Sequence, residues 1–266
     1  VLLGRIYPIF TEVLFDKKIS VGPPFYNIVI IPIVILFLFF MSIGPNARWI
    51  KNTFNNLKIL FSILLGSIFI NFLISYLFKG YSVISNFIII SSIFLIISSL
   101  KDSIKSIKNN NFNFSRVISH TAFGFLVLFV GLNHNFSLEK DFNIKLGETK
   151  KVENYSIEFQ DLKLADFKNY KAVIGEFRIN NLQNNAEQSL KPEIRIYENP
   201  STLTYEASIR TGFLKDYYIT MSNIDRSDYY NIKFQKKPFM MWIWISVIFI
   251  SLGGFSRIVK NANKNY

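Results

Sequence analysis

The sequence predicts a polytopic α-helical membrane protein with one β-rich extracytoplasmic domain. Half of the 266 residues are hydrophobic and 17% are aromatic, which is rare in a soluble globular domain. The Lys and Arg residues lie in short clusters between apolar runs, as membrane topology requires. That pattern excludes the nucleic-acid binding that a net charge of +12 would otherwise suggest. Between residues 134 and 237 the texture changes to alternating polar and apolar residues, which indicates β-strands.

The apolar stretches predict how many helices cross the membrane. A helix needs about 20 mostly apolar residues to cross a hydrocarbon core of roughly 30 Å. Residues 1–15 carry neither an initiator methionine nor a signal-peptide pattern, so we expect them to be the end of a truncated transmembrane helix. We expect five full crossings, at residues 25–43, 58–78, 83–100, 115–133 and 239–257.

Basic residues orient these helices, because Lys and Arg accumulate in short cytoplasmic loops. Placing the basic clusters of residues 48–58, 101–116 and 257–264 inside puts 80–82 and 134–238 outside, with Lys17 and Lys18 as the exception. The predicted domains are the truncated helix at 1–15, a four-helix transmembrane region at 16–133, the β-rich domain at 134–237, and the last transmembrane helix with a cytoplasmic tail at 238–266.

The β-rich domain is predicted from period-two runs that are rich in β-branched and aromatic residues. With about 100 residues, such a domain is typically a small barrel or a sandwich. The expected strands lie at residues 155–159, 172–179, 193–197, 216–221 and 229–234.

His120 is the residue most indicative of function, because burying an ionisable side chain in a membrane costs at least a few kcal/mol unless it is partnered. It lies about one turn inside the helix expected from residue 115. Gly124 follows on the same face, where the missing side chain would let a flat group or another backbone approach. A histidine that hydrogen-bonds a neighbouring helix or reaches the headgroups fits the spacing equally well, so both interpretations stay open here.

The remaining polar residues give no catalytic constellation. His134 lies roughly 21 Å from His120 on a continuous helix, too far for both to bind one metal ion. We expect it to be an ordinary interfacial residue in an exit loop. Acidic residues of the outer domain, such as Glu139 and Asp141, have no companion histidine, so we assign no catalytic residue. The chain contains no cysteine and thus has no thiol chemistry of its own.

Several short strings carry a resemblance to one family. In order they are KISVGPPFYN at 18–27, GPNARW at 44–49, SHTAFG at 119–124, NFSLEKD at 135–141, the stretch 204–218, and KPFMMWIW at 237–244. In order, spacing and topology they resemble the C-terminal portion of the CcmF haem lyases of cytochrome c maturation, and the resemblance covers essentially the whole chain.

The resemblance implies a function in haem attachment. Members of this family receive haem from a haem chaperone and help to attach it, by thioethers, to apocytochrome c, with a thiol-presenting subunit as a further partner. The family also holds a stable haem b between two transmembrane histidines, and His120 matches one of them by position. His120 is therefore the expected haem-binding and metal-ligating residue.

The departures from the family pattern matter as much. The second haem b histidine and the Trp-rich haem-handling motif have no counterpart in this chain. They are expected from the N-terminal part of the same protein or from a separate subunit, because one axial ligand cannot complete six-coordinate iron. We therefore expect an integral inner-membrane protein, bacterial or mitochondrial, that is inactive alone and carries its β-rich domain on the periplasmic or intermembrane-space side. The alternative is a non-catalytic scaffold subunit of a cytochrome assembly complex.

Overall fold

The computed structural model combines apolar helices with a β-sandwich. It describes residues 2–16, 22–44, 54–77, 83–108, 113–183, 186–224 and 227–262, with backbone alone at some helix ends. The chain divides into two compact units, one formed by Val1–Asn135 with Trp242–Tyr266 and the other by Phe136–Met241. The predicted fold class, a helical membrane protein with a β-rich domain, is confirmed.

The first unit contains six helices in its described part. Four of them hold a stretch that is long and apolar enough to cross a membrane, Leu57–Tyr76, Val83–Lys108, Phe114–Phe136 and Met240–Ile258. The helix bounds are α1 Leu2–Phe15, α2 Pro23–Ile43, α3 Phe54–Leu77, α4 Val83–Lys108, α5 Phe114–Phe136 and α6 Met240–Ala262. The apolar segments of α1 and α2 are Ile6–Phe15 and Ile28–Ile43, and both are shorter than the four stretches above. That α1 and α2 cross the membrane therefore stays a prediction.

Helix α4 is the most buried of the four candidate spans. Many of its buried side chains are serines, such as Ser91 and Ser92, whose hydroxyls donate to carbonyls of the preceding turn of the same helix. Small, locally satisfied hydroxyls need no partner on another helix and leave room for close approach. Helix α2 packs on α4 through the Phe39 and Phe94 rings, whose centroids are 5.5 Å apart. Helix α4 is therefore the centre of this helical packing.

Two helices end later than the sequence predicted. Helix α4 continues to Lys108, where we expected a loop after residue 100. This segment contains neither Gly nor Pro, and its Asp102 is buried against α5, so nothing local ends the helix and a tertiary contact extends it. Helix α5 continues to Phe136, which places His134 in its last turn and not in an exit loop. Lys17, Lys18, the basic residues 48–51, the hairpin 80–82 and Lys264 lie outside the described residues.

The second unit is a sandwich of two antiparallel sheets and not a barrel. One sheet has the strand order β1-β10-β9-β8, and the other has β2-β3-β4-β6-β7 with β5 also paired to β4. The strands are β1 Leu138–Ile144, β2 Thr149–Val152, β3 Tyr155–Asp166, β4 Tyr170–Asn181, β5 Ala186–Leu190, β6 Glu193–Glu198, β7 Ser201–Glu206, β8 Ser208–Arg210, β9 Lys215–Asn223 and β10 Tyr230–Pro238. The five predicted strands lie in β3, β4, β6, β9 and β10, and the other five are new.

The inward faces of both sheets build one aromatic core. Phe159 and Phe177 are directly opposed on β3 and β4, and their rings stack with centroids 4.4 Å apart. From the other sheet Phe234 packs against Tyr155, and both side chains are buried. Alternation along each strand produces this core, because successive side chains point to opposite faces of a sheet.

Core packing predicts a large cost for truncating Phe177. Replacing this fully buried ring by alanine is expected to lower the free energy of unfolding by about 3–5 kcal/mol, since contacts are lost and a cavity remains. Leu164 is 83% exposed and serves as the matched control, for which we expect a change within about 0.5 kcal/mol. Thermal unfolding of the full chain in detergent, followed by β-sheet circular dichroism, measures both. Equal losses in Phe177→Ala and Leu164→Ala would contradict this core.

Candidate functional site

The candidate site is centred on His120, in the second turn of α5. Its side chain is half-buried. At 100° per residue, His120 shares one face of α5 with Gly124 and Gly131. A Cβ atom on Gly124 would lie only 2.7 Å from Cγ1 of Ile96 on α4. The missing side chain of Gly124 is therefore used for close packing against α4, which leaves no slot for a flat group at that position.

An ion pair lies one turn from His120. The guanidinium Nη2 of Arg116 donates to Oδ2 of Asp102 at 2.6 Å, which joins α5 to α4. The Asp102 side chain is 11% exposed, whereas the Nε of Arg116 is buried without a hydrogen-bond partner in the described part of the chain. Charged groups that are largely removed from solvent are stabilised chiefly by each other. This pair therefore fixes the register of α4 against α5 beside His120.

Sequence reasoning missed Asp102. The signal was present, because Asp102 is the only acidic residue between Asp16 and Glu139, a stretch that contains many lysines. The sequence placed Asp102 in a loop, where its carboxylate would be solvated. Because α4 continues to Lys108, Asp102 lies on a helix instead and faces α5. A single carboxylate among cations at the end of an apolar helix indicates a partly buried ion pair.

Within the residues that the structure describes, His120 makes no hydrogen bond, so its imidazole is not committed to a structural partner. The described residues also contain no cluster of three or more His, Asp or Glu side chains that would hold a metal ion. This donor set fits a cofactor that takes one imidazole from this chain and its other ligand from elsewhere, as an axially ligated haem does.

The opposite face of α5 packs against α6, and a separate, partly open cavity lies between these two helices. This cavity has a volume of about 300 Å³ and an apolar lining that includes Phe125, Phe129 and Trp242. Below it, the Ser115 hydroxyl donates to the carbonyl oxygen of Gly253 at 2.6 Å. His120 is not among the residues around this cavity. Helix α5 is therefore held on both sides, by α4 on the histidine face and by α6 on the other.

The other sequence candidates do not gather at His120. His134 is exposed in the last turn of α5, fourteen residues further along the helix. In the β-sandwich, Lys233 hydrogen-bonds Glu139 and lowers the pKa of that carboxyl below its usual value. Asp141 is exposed beside it on β1. These carboxylates belong to the solvated face of a sheet, as expected.

The Asp102–Arg116 pair predicts measurable coupling between α4 and α5. In a double-mutant cycle with Asp102→Ala and Arg116→Ala, we expect a coupling energy of about 1–3 kcal/mol, because each single variant leaves a charge without its partner. The exposed pair of Lys171 and Glu198, 3.6 Å apart, is the control and should couple by less than about 1 kcal/mol. Thermal unfolding in detergent gives both values. If the two pairs couple equally, the Asp102–Arg116 pair does not fix these helices.

Comparison with known proteins places the β-sandwich in a family. Residues 135–238 match the family model described as the CcmF C-terminal β-sandwich. The cytochrome c-type biogenesis protein CcmF of Pseudomonas fluorescens is 26% identical, over 96% of this chain and 40% of that protein. The CcmF protein of Escherichia coli strain K12 is 23% identical over the same shares of each.

A solved structure shows the same fold over nearly the entire chain. That structure, named "Cytochrome c Heme Lyase CcmF", matches with a TM-score of 0.72 and 18% identity, covering 95% of this chain and 41% of that one. This chain thus spans about two fifths of the length of the curated relatives that it matches. Residues 135–238 are thus a CcmF C-terminal β-sandwich, and over nearly its entire length the chain is similar to the C-terminal portion of the CcmF cytochrome c-type biogenesis proteins.

Proposed function

We propose that this chain is the C-terminal part of a membrane haem lyase and supplies one axial ligand, His120, to a haem b. The observation that carries the proposal is a half-buried imidazole within a candidate membrane span that has no hydrogen-bond partner among the described residues. A histidine of that kind suits a ligand better than a structural side chain, because a structural histidine would be partnered. The similarity to CcmF proteins and the likeness to a solved haem lyase support the haem-lyase function.

The helices around His120 would orient the ligand. The Gly124 contact and the Asp102–Arg116 pair hold α5 at a fixed height and rotation against α4, and the imidazole direction follows from both. The apolar side chains of the span exclude water from this region. When bound, haem b would supply one-electron redox chemistry, and the second axial ligand would come from the N-terminal part of the protein or from a separate subunit.

The β-sandwich is proposed to lie on the outer side of an inner membrane. Lys101, Lys105 and Lys108 lie towards the C-terminal end of α4, and Arg116 lies near the start of α5, so the connection between these helices is basic and favours the cytoplasmic side. Helix α5 leads from there into the sandwich at its other end. This placement favours the domain division at 1–15, 16–133, 134–237 and 238–266.

The same placement suggests partners for the outer domain. A haem lyase joins haem vinyl groups to cysteine thiols, and this chain contains no cysteine, so the thiols belong to apocytochrome c. The sandwich is then a surface for apocytochrome c, its thiol-presenting subunit or the haem chaperone. We infer that the chain acts only with the N-terminal part that its relatives contain.

A non-catalytic scaffold subunit is the second candidate. Its support is the absence of a metal-holding cluster among the described residues and the pairing of charged residues on the surface of the sandwich. In that case His120 would be a structural residue, and glutamine, which keeps the size and hydrogen bonding of the side chain, would replace it without loss.

Cytochrome c assembly separates the two candidates. In a bacterial strain that lacks its own CcmF-family protein, co-expression of this chain with the missing N-terminal part should restore covalently bound haem on cytochrome c. His120→Ala and His120→Gln should abolish that haem, because neither side chain ligates the iron. His134→Ala, a change of the only other histidine, is the matched control and should leave assembly intact.

Haem staining of membrane and periplasmic fractions measures the outcome, with an immunoblot showing that each variant accumulates. Full assembly with His120→Gln would favour the scaffold and exclude ligation by His120. Covalent haem formed by this chain without its N-terminal part would contradict the proposal that it acts only as one part of the enzyme.

A further inference from the structure

One end of the β-sandwich carries both connections to the helices, because the chain enters and leaves the domain there. Strand β1 starts next to the end of β10, with Leu138 opposite Lys236. Helix α5 ends at Phe136 and α6 begins at Met240, and both contain candidate spans. The end of the sheet that carries these two connections is therefore joined directly to two candidate membrane spans.

Two large apolar side chains project from the same end. Pro238, the last residue of β10, lies opposite Lys215, the first residue of β9. The turn just before Lys215 carries Phe213 and Leu214, which are 62% and 57% exposed. Apolar side chains exposed at the base of a membrane-tethered domain are placed where lipid can cover them.

The turn that carries this pair is fixed in shape. The backbone N–H of Gly212 donates to Oδ1 of Asp216 at 3.0 Å, and the N–H of Phe239 donates to the carbonyl oxygen of Leu214 at 2.8 Å. A Cβ atom on Gly212 would lie 2.7 Å from the carbonyl oxygen of Lys215, so the turn requires glycine there. The second hydrogen bond ties the turn to the residue that directly precedes α6.

Cations surround the apolar pair. Arg210 and Lys236 both lie opposite Tyr217, on either side of β9. The Nζ atom of Lys237 lies 5.3 Å from the ring centroid of Tyr218, which adds an aromatic side chain to this end. Of the acidic residues at this end, Asp216 is buried, and Glu153 interacts electrostatically with Lys236. The exposed charge of this end is therefore mainly positive.

We propose that Phe213 and Leu214, together with Arg210, Lys215 and Lys237, form an interfacial anchor that binds a lipid surface with anionic headgroups. The two apolar side chains enter the boundary between headgroups and acyl chains, and the cations contact lipid phosphates. The observation that selects lipid over a protein partner is continuity, since the turn is hydrogen-bonded to Phe239, the residue that directly precedes the candidate membrane span of α6.

The chain is suited to a direct test because it contains no cysteine. Single-cysteine variants F213C and L214C each keep the other apolar residue, and each is labelled with an environment-sensitive fluorophore. The matched control is L164C, also at an exposed leucine, which is 83% exposed. Leu164 lies at the opposite end of the sandwich, because β3 runs from Tyr155, beside Phe234, past Phe159, beside Tyr230.

The full chain, co-assembled with its N-terminal part, is placed in nanodiscs of phosphatidylcholine with or without phosphatidylglycerol. A fraction of the lipid carries a nitroxide near the headgroup as quencher. The labels at 213 and 214 should lose most of their fluorescence, with a larger loss in discs that contain phosphatidylglycerol, while the label at 164 keeps its intensity. Adding K215E and K237E should remove the extra loss caused by phosphatidylglycerol.

Two results would overturn the anchor. If the labels at 213 and 214 are quenched no more than the label at 164, the turn does not touch lipid, whether it faces water or another protein. If the quenching is the same with and without phosphatidylglycerol and is unchanged by K215E and K237E, the cations do not bind anionic headgroups. Both readouts are independent of haem binding and of cytochrome c assembly, so a failure of the anchor can be distinguished from a failure of the proposed function.

Discussion

The close approach of α4 and α5 is the constraint on which the candidate site depends. Gly124 lets Ile96 of α4 come within contact of the α5 backbone, and the Asp102–Arg116 pair joins the same helices at their polar end. The first contact sets the distance between the helices, and the second sets their register. With both fixed, His120 lies at a defined height on a face that is half-buried and leaves its imidazole without a partner among the described residues. A Cβ atom at position 124 would force Cγ1 of Ile96 to move, so the present packing of α4 on α5 depends on glycine there.

The two units are stabilised in different ways, because the helical unit is suited to lipid and the sandwich to water. In the helical unit, backbone hydrogen bonds are closed within helices, and polar side chains such as Ser91 and Ser92 satisfy themselves locally, which the lipid environment requires. In the sandwich, the aromatic core around Phe159 and Phe177 supplies the stability, while outward carboxylates pair with lysines. The proposed ligand His120 thus belongs to the helical unit, and the proposed surface for soluble partners belongs to the sandwich.

Much of this fold could be predicted from periodicity, because apolar runs of span length and alternating strands are strong local signals. The sequence could not distinguish a sandwich from a barrel. The difference depends on strands such as β2 and β5, which are short and polar and form only beside β3 and β4. Asp102 was missed for a similar reason. Its isolation among lysines is visible in the sequence, but its pairing depends on Arg116, fourteen residues away, and on the continuation of α4 to Lys108.

The most direct test of the central claim is the spectrum of the haem in the purified assembly of this chain with its N-terminal part. Low-temperature electron paramagnetic resonance and reduced-minus-oxidised absorbance should show low-spin, bis-imidazole haem b in the unaltered protein and in His134→Ala. In His120→Ala that signal should be lost or replaced by a high-spin form, because the iron loses one axial nitrogen. An unchanged low-spin spectrum in His120→Ala would contradict the claim that His120 is the ligand.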